Sequence, residues 1–352
     1  MADTIPFNNL ARQYSSIRQE LLDVTDKIMS TGNFMDGGYT KTFETWLAKR
    51  NHVNFAATCH SGTQALEIMA AYLRTQYPVD QPPRVAIPAM TYSATANAFA
   101  TAGWNIVFVD VDRYGVIDAA KVPSNIDLVV TVGLFGARVP DIMTNRRIMT
   151  VEDAAQNWLG ANSHRTGHAS AISFDPVKNL ANYGNGGAIV TNDGNFASWI
   201  KSYRNNGKNS SDCGTNSRMS EIDCAQLMVK ANYVDVWQTR RGQIADYLIS
   251  RLSSRVRCLI DETNRQGHGF QKFVIEVNNR DQLRQQLTQS GIETRIHYDQ
   301  PLNYTVKFKK WPGVGVGSQA DQLSKRLISL PFYPELTDAE IDRIADQVLS
   351  CV

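Results

Sequence analysis

The chain has 352 residues, with 36 Lys plus Arg against 34 Asp plus Glu and a net charge of +2. That balance argues against a nucleic-acid binder, because a surface that tracks phosphates needs a clear basic excess on one face. With 43% hydrophobic residues the chain can bury a substantial core, and its length suits one large domain and a smaller one rather than disorder. The five cysteines, Cys59, Cys213, Cys224, Cys258 and Cys351, are scattered without a CxxC pair, so they are expected as free thiols in a reducing compartment. The start lacks the basic and apolar regions of a secretion signal, and the apolar stretch 128–139 is too short to span a bilayer. A cytoplasmic protein with no membrane partner is expected.

In chain order, Ser61-Gly62 followed by Leu66, Met69 and Leu73 predicts a capped amphipathic helix with an open first turn. RVAIP (84–88), NIVFVDV (105–111), LVVTVGLF (128–135) and RIMTVED (147–153) are β-branched runs bounded by turn residues or helical stretches. They predict a parallel, doubly wound sheet with helices on both faces. SAISF (170–174) and GAIVTN (187–192) then bracket a loop, DPVKNLANYGNG, that holds Lys178. From about Tyr233 the texture changes to a long helix carrying Trp237, Ile244, Leu248 and Leu252, then a strand FVIEV (273–277) and a short helix around Leu283 and Leu287. A strand TRIHY (294–298) and a last helix with a Thr337 to Glu340 capping box follow. The expected division is a large domain over 1–235, with an N-terminal arm or helix, and a smaller α+β domain over 236–352.

Several motifs fail. No GxGxxG or GxxxxGK[ST] occurs, which removes nicotinamide Rossmann and P-loop sites. His164 and His168 are four residues apart, but the intervening RTG holds a glycine and no glutamate, so no metal site is expected. The run KFKKW (307–311) is better read as a solvated strand edge than as a nucleic-acid surface.

Other signals are weak singly and coherent together. Asp153 closes a strand at the end where open α/β sheets bind ligands, yet it could equally cap the following AAQNWLG. Lys178 alone could be a surface lysine. A helix N-terminus at Ser61-Gly62-Thr63 suits a phosphate dianion. An aspartate against a pyridine nitrogen would make the ring an electron sink, and a lysine can form a Schiff base. Tyr92, after RVAIP, could stack on such a ring or simply belong to the core. Together these residues describe a site for pyridoxal 5'-phosphate.

At these residues the sequence resembles the DegT/DnrJ/EryC1/StrS sugar aminotransferases, which belong to the aspartate-aminotransferase (type I) fold group of pyridoxal phosphate enzymes. The stretches that carry the resemblance, in order, are FMDGGYTKTFE, CHSGTQAL, IPAMTYSATANAF, VFVDVD, VEDAAQNWLGA, SFDPVKNLANYGNGGAIVTND, NSRMSEIDCAQL and SLPFYPELTDAEID. The resemblance implies a mostly parallel seven-stranded sheet and a smaller α+β part. It implies that Lys178 is the Schiff-base lysine and general base, that Asp153 partners the pyridine nitrogen, and that Gln156 approaches the ring hydroxyl. Gly62, Thr63 and Ser173 would hold the phosphate, Tyr92 would cover the ring, and Asn216 would reach the partner subunit's cofactor in a homodimer with composite sites.

The implied reaction moves an amino group from L-glutamate to a nucleotide-linked keto-sugar, expected to be a 4-keto-6-deoxyhexose. Arg218 and His297 are candidates for gripping the acceptor's pyrophosphate, with a structural ion pair and a satisfied core histidine as the competing roles. A keto-cyclitol acceptor and a non-catalytic regulatory protein on the same scaffold are the alternatives. Relatives that dehydrate sugars replace the lysine with histidine, and Lys178 argues against that chemistry here. The sequence departs from the family pattern at Gly133-Leu134-Phe135-Gly136, where His-Leu-Tyr-Gly is usual, in the short loop from Gly207 to Asn216, and at Cys59-His60, where an asparagine is common.

Overall fold

The computed structural model describes residues 4–139, 148–160, 167–209 and 212–352. Seven strands form one sheet: β1 (Phe55–Cys59), β2 (Arg84–Pro88), β3 (Asn105–Val109), β4 (Leu128–Val132), β5 (Met149–Asp153), β6 (Ala169–Ser173) and β7 (Gly187–Thr191). Their order is β1-β7-β6-β5-β4-β2-β3. β7 runs antiparallel to both neighbours, and every other pair is parallel. The fold is therefore the mostly parallel α/β sheet expected of the chain.

Period-two alternation assigns the two faces of this sheet. Ala57, Ala171 and Ile189 join one core with Leu66, Met69 and Leu73 of the helix Gly62–Arg74. Their chain neighbours Ala56, Ile172, Ala188 and Val190 join the other, with Phe43 and Leu47 of the helix Gly38–Arg50 and Leu227 of the helix Glu221–Ala231. Strands covered on both faces have no polar side to show, which is why they read in the sequence as continuous apolar runs.

A second, antiparallel sheet has the order β10-β9-β8, with β8 at Arg257–Cys258, β9 at Phe273–Glu276 and β10 at Leu327–Leu330. Phe273, Ile275, Ile328 and Leu330 pack there against Leu248 and Leu252 of the helix Val234–Leu252 and Ile344 and Val348 of the helix Asp338–Cys351. The expected border at residue 235 falls in the first turn of the helix Val234–Leu252. The capping box at Thr337 and Glu340 is present.

Several expectations need correction. KFKKW (307–311) is not a solvated strand edge: it forms a turn in which Phe308 is buried. TRIHY is not a strand: its one ladder contact is the bridge between Arg295 and Ser329, and Tyr298 turns the chain away with φ at 63°. LVVTVGLF stops pairing at Val132, because Phe135 takes φ 61° and folds the chain into a short turn. β1 was not anticipated, because FAATC is short and rich in alanine and so carries little β-propensity of its own. His164 lies outside the described residues.

A buried ion pair anchors the end of β1. Arg204 Nη1 lies 2.7 Å from Glu44 Oε1, and Glu44 also accepts from the Thr58 N–H at 2.9 Å. Arg204→Met would leave the Glu44 carboxylate buried without its cation, which costs about 3–5 kcal/mol. Urea denaturation should show that loss, and the double variant Glu44→Gln with Arg204→Met should recover part of it.

Candidate active site

At the carboxyl ends of β5 and β6 the chain encloses a cavity of about 370 Å³ lined by Gly62, Thr63, Tyr92, Asp153, Gln156, Ser173 and Lys178. Seven of the residues singled out from the sequence thus meet at one place, with His297 also on the wall. Asn216 and Arg218 do not line it. Asn216 is exposed and bridges Asn205, and Arg218 pairs with Asp36 at 2.7 Å.

The end of the cavity at Gly62 and Thr63 is built by close approach. Ser61 caps the helix Gly62–Arg74 by accepting from the Gln64 N–H at 3.0 Å. Among the described residues no acceptor faces the N–H groups of Gly62 and Thr63. A Cβ on Gly62 would lie 2.6 Å from Ser173 Cβ, and one on Gly187 would lie 2.3 Å from the Ser61 carbonyl carbon. Only glycines allow β6, β7 and the helix start to meet this closely, and the result is a set of free N–H donors at the positive end of a helix.

Asp153, the last residue of β5, accepts from Thr95 Oγ1 at 2.7 Å and from the Ala155 N–H at 3.2 Å. Burial raises its pKa above the ordinary carboxylate value, against the pull of those donors and of the Lys178 charge. Lys178 is held by a tight turn in which its N–H donates to the Asp175 carbonyl at 2.9 Å and the Asp175 N–H donates to Ser173 Oγ at 3.3 Å. Burial lowers the Lys178 amine below the usual lysine value, while Asp153 and Asp175 oppose the shift. The two groups favour each other's charged form without a direct ion pair, and the space between them remains open.

Gln156 is committed at both ends of its amide. Its Oε1 accepts from the Phe135 N–H at 2.7 Å, and its Nε2 donates to Tyr298 Oη at 2.9 Å. The phenol of Tyr298, whose pKa burial raises, is therefore the group Gln156 presents to the cavity. His297 shares its Nδ1 with Ser329 Oγ at 2.8 Å, and burial beside Lys272 and Lys178 drops its pKa to about 3. A neutral imidazole can hydrogen-bond a substrate, but it brings no positive charge to a pyrophosphate.

Sequence reasoning missed Thr95, Lys272 and Tyr298. Thr95 carried a faint signal, three residues past Tyr92 in the first turn of a helix. Lys272 and Tyr298 arrive from the second sheet and its loop, more than 90 residues further along the chain than Lys178, and no local spacing announces them.

The chain matches the model of the DegT/DnrJ/EryC1/StrS aminotransferase family over residues 15–349. It belongs to that family. It is similar to a pleiotropic regulatory protein of Geobacillus stearothermophilus, at 30% identity over 98% of this chain and 97% of the relative. It is also similar to a UDP-N-acetyl-3-dehydro-alpha-D-glucosamine 3-aminotransferase of Acidithiobacillus ferrooxidans, at 29% identity over 97% of this chain and 96% of that enzyme. Among solved structures, a DegT DnrJ EryC1 StrS aminotransferase from Brucella abortus superposes with a TM-score of 0.90 at 28% identity, covering 98% of this chain and 99% of the other.

The site geometry fixes a titration. Because burial holds the Lys178 amine below its ordinary pKa, its labelling by acetic anhydride in the cofactor-free protein should rise at lower pH than that of a lysine in a blocked peptide. Asp153→Asn removes a charge that opposes the shift, so the Lys178 midpoint should fall further. A midpoint equal to that of the peptide lysine, measured by peptide mapping, would contradict the placement.

Proposed function

We propose that this protein is a pyridoxal-phosphate-dependent aminotransferase that carries an amino group from L-glutamate to a keto-sugar linked to a nucleoside diphosphate. The observation that carries the reading is the one cavity that joins an open helix N-terminus, a buried acid and a buried lysine. Each of those features is incomplete as it stands. The Gly62 and Thr63 N–H groups lack an acceptor, the Asp153 carboxylate has hydrogen-bond donors and no paired cation, and the Lys178 amine has no direct partner among the described residues. A phosphorylated pyridine aldehyde fits all of these deficits at once. The nucleotide-sugar class rests on family membership and on relatives such as the Acidithiobacillus aminotransferase.

When bound, pyridoxal 5'-phosphate supplies an aldehyde that condenses with amines and a protonated ring that draws electrons from the attached carbon. Gly62, Thr63 and Ser173 hold the phosphate with N–H groups, a hydroxyl and the helix dipole. Asp153, oriented by Thr95 and the Ala155 N–H, keeps the ring nitrogen protonated through a charge-assisted hydrogen bond. Tyr92, which is 62% exposed at the rim, would cover the ring and shield it from bulk water. Gln156, held by the Phe135 N–H and Tyr298 Oη, would approach the ring hydroxyl. Lys178 Nζ, whose pKa burial lowers, would take the proton from the α-carbon of the donor. The same amine then returns a proton at the acceptor carbon in the second half of the cycle.

We take the working form as a homodimer in which Asn216, exposed and outside its own cavity, would reach the phosphate site of the second copy. Arg218 is held by Asp36 and takes no part in the cavity. No helix among the described residues is long and apolar enough to cross a membrane. All five cysteines are free, and we place the enzyme in the cytoplasm.

The Geobacillus relative bears a regulatory name, and a non-catalytic protein on this scaffold makes the opposite forecast. With L-glutamate, the loaded enzyme should lose the long-wavelength absorbance of its lysine-bound cofactor and release one 2-oxoglutarate per site, whereas a purely regulatory protein should do neither. Lys178→Ala should abolish both signals. A panel of 3-keto and 4-keto nucleotide sugars against free keto-inositols then identifies the acceptor, and equal turnover with and without the nucleotide would rule out the nucleotide-sugar assignment.

A further inference from the structure

One ionisable group on the cavity wall has no part in the mechanism above. Lys272 stands immediately before β9, and its backbone N–H donates to the Phe135 carbonyl at 3.1 Å. The residue is only 8% exposed, and it lines the cavity together with Lys178, His297 and Tyr298. Among the described residues no carboxylate or carbonyl lies within hydrogen-bonding reach of its amine. Its amine lies over the face of Phe7, whose ring centre is 5.5 Å from Nζ.

The surroundings are unusually poor in negative charge. Lys178 and Arg241 face Lys272 from the loop after β6 and from the helix Val234–Leu252, and both disfavour its protonated form. Asp175 is the one acid that favours it, and burial together with these neighbours brings the amine down to about 7. Arg241 is itself buried, with Nη1 donating to the Phe332 carbonyl at 2.8 Å and its Nε without a partner. Arg295 stands over Phe7 with its guanidinium 5.7 Å from the ring centre, and His297 is neutral. A buried ammonium without a counter-ion is costly for the fold, and an anion that enters removes the cost.

We propose that Lys272 is the carboxylate anchor of the active site, binding the carboxylate of a substrate whose reacting carbon lies at Lys178. The inference rests on the aminotransferase reading and adds to it the group that the substrate must carry. A carboxylate fits better than a diphosphate because the amine sits deep in the cavity. The mouth, marked by the exposed Tyr92 and Val177, is where a bulky nucleoside diphosphate would remain. Phe7 covers one side of the amine, and His297 and Tyr298 line the same cavity, so an anion bound there would meet an imidazole and a phenol that can hydrogen-bond it without adding charge.

Two substrates bring such a carboxylate: the amino donor L-glutamate and an acceptor that is a uronic acid. Calorimetric titration of the cofactor-loaded protein with glutarate tests the first, and UDP-glucuronate against UDP-glucose tests the second. Lys272→Met should weaken glutarate, or abolish the preference for UDP-glucuronate, by about tenfold to a hundredfold, the usual loss for one charge-assisted hydrogen bond. Lys272→Arg should stay within about threefold of the parent, because it keeps the charge at nearly the same place. The cofactor absorbance should be unchanged in both variants, which shows an intact site and keeps this test separate from that of the enzyme class. The proposal is overturned if Lys272→Met binds both carboxylates as the parent does, or if the loaded parent binds neither.

Discussion

Two opposite charges buried in one cavity, and kept apart, are the constraint around which this structure is organised. Asp153 is pushed up and Lys178 down by the same loss of water, and each is held toward its charged form by the other. If they closed into an ion pair, the site would be neutral and useless. Thr95 and the Ala155 N–H hold the acid on β5, and the turn through Ser173 and Asp175 holds the lysine beyond β6. A parallel sheet suits this arrangement, because adjacent strands deliver their ends to the same side and their hydrogen bonds prevent relaxation.

The elements that hold these charges are ones whose sequences were readable. RVAIP, NIVFV and the strands that end at Asp153 and Ser173 are short apolar runs with sharp stops, and Ser61 is a cap followed by an apolar stripe. Asp153, Lys178 and the Gly62 turn were legible for the same reason: each sits at a punctuation mark between an apolar run and a turn. The other wall was not. Tyr298 lies in a segment whose alternation suggested a strand, but a left-handed residue and a single bridge to Ser329 make it a loop. Lys272 looks in sequence like any lysine flanking a strand, and its isolation exists only once Phe7, Arg241 and Phe135 are packed around it. Local pattern specifies where the chain turns, whereas the charge that a turn meets is a long-range property.

The departure at Gly133 shows how a family pattern can change without loss of packing. A Cβ at that position would lie 2.2 Å from the Asn157 side-chain amide, so no imidazole can stand there while Asn157 keeps its place. Asn157 in turn donates to the buried Glu152 at 2.8 Å. Asn157 thus fills the space beside Gly133, just beyond the end of β4. The same segment supplies the Phe135 N–H to Gln156 and the Phe135 carbonyl to Lys272, so the exchange is tied by backbone hydrogen bonds to both sides of the cavity.

That tie explains why substrate choice can vary on a fixed chemical floor. The floor is made by β5, β6 and the helix Gly62–Arg74, where glycines leave no room for change and buried charges punish it. The wall is made by residues 272, 297 and 298, which reach the cavity from the second sheet and its loops. A substitution on the wall alters hydrogen bonding and charge around the substrate without moving Asp153 or Lys178. A substitution on the floor disturbs the pair itself. Specificity in this protein is therefore expected to reside on the side of the cavity farthest along the chain from Lys178, and Lys272 is the feature of that wall that most narrows the choice.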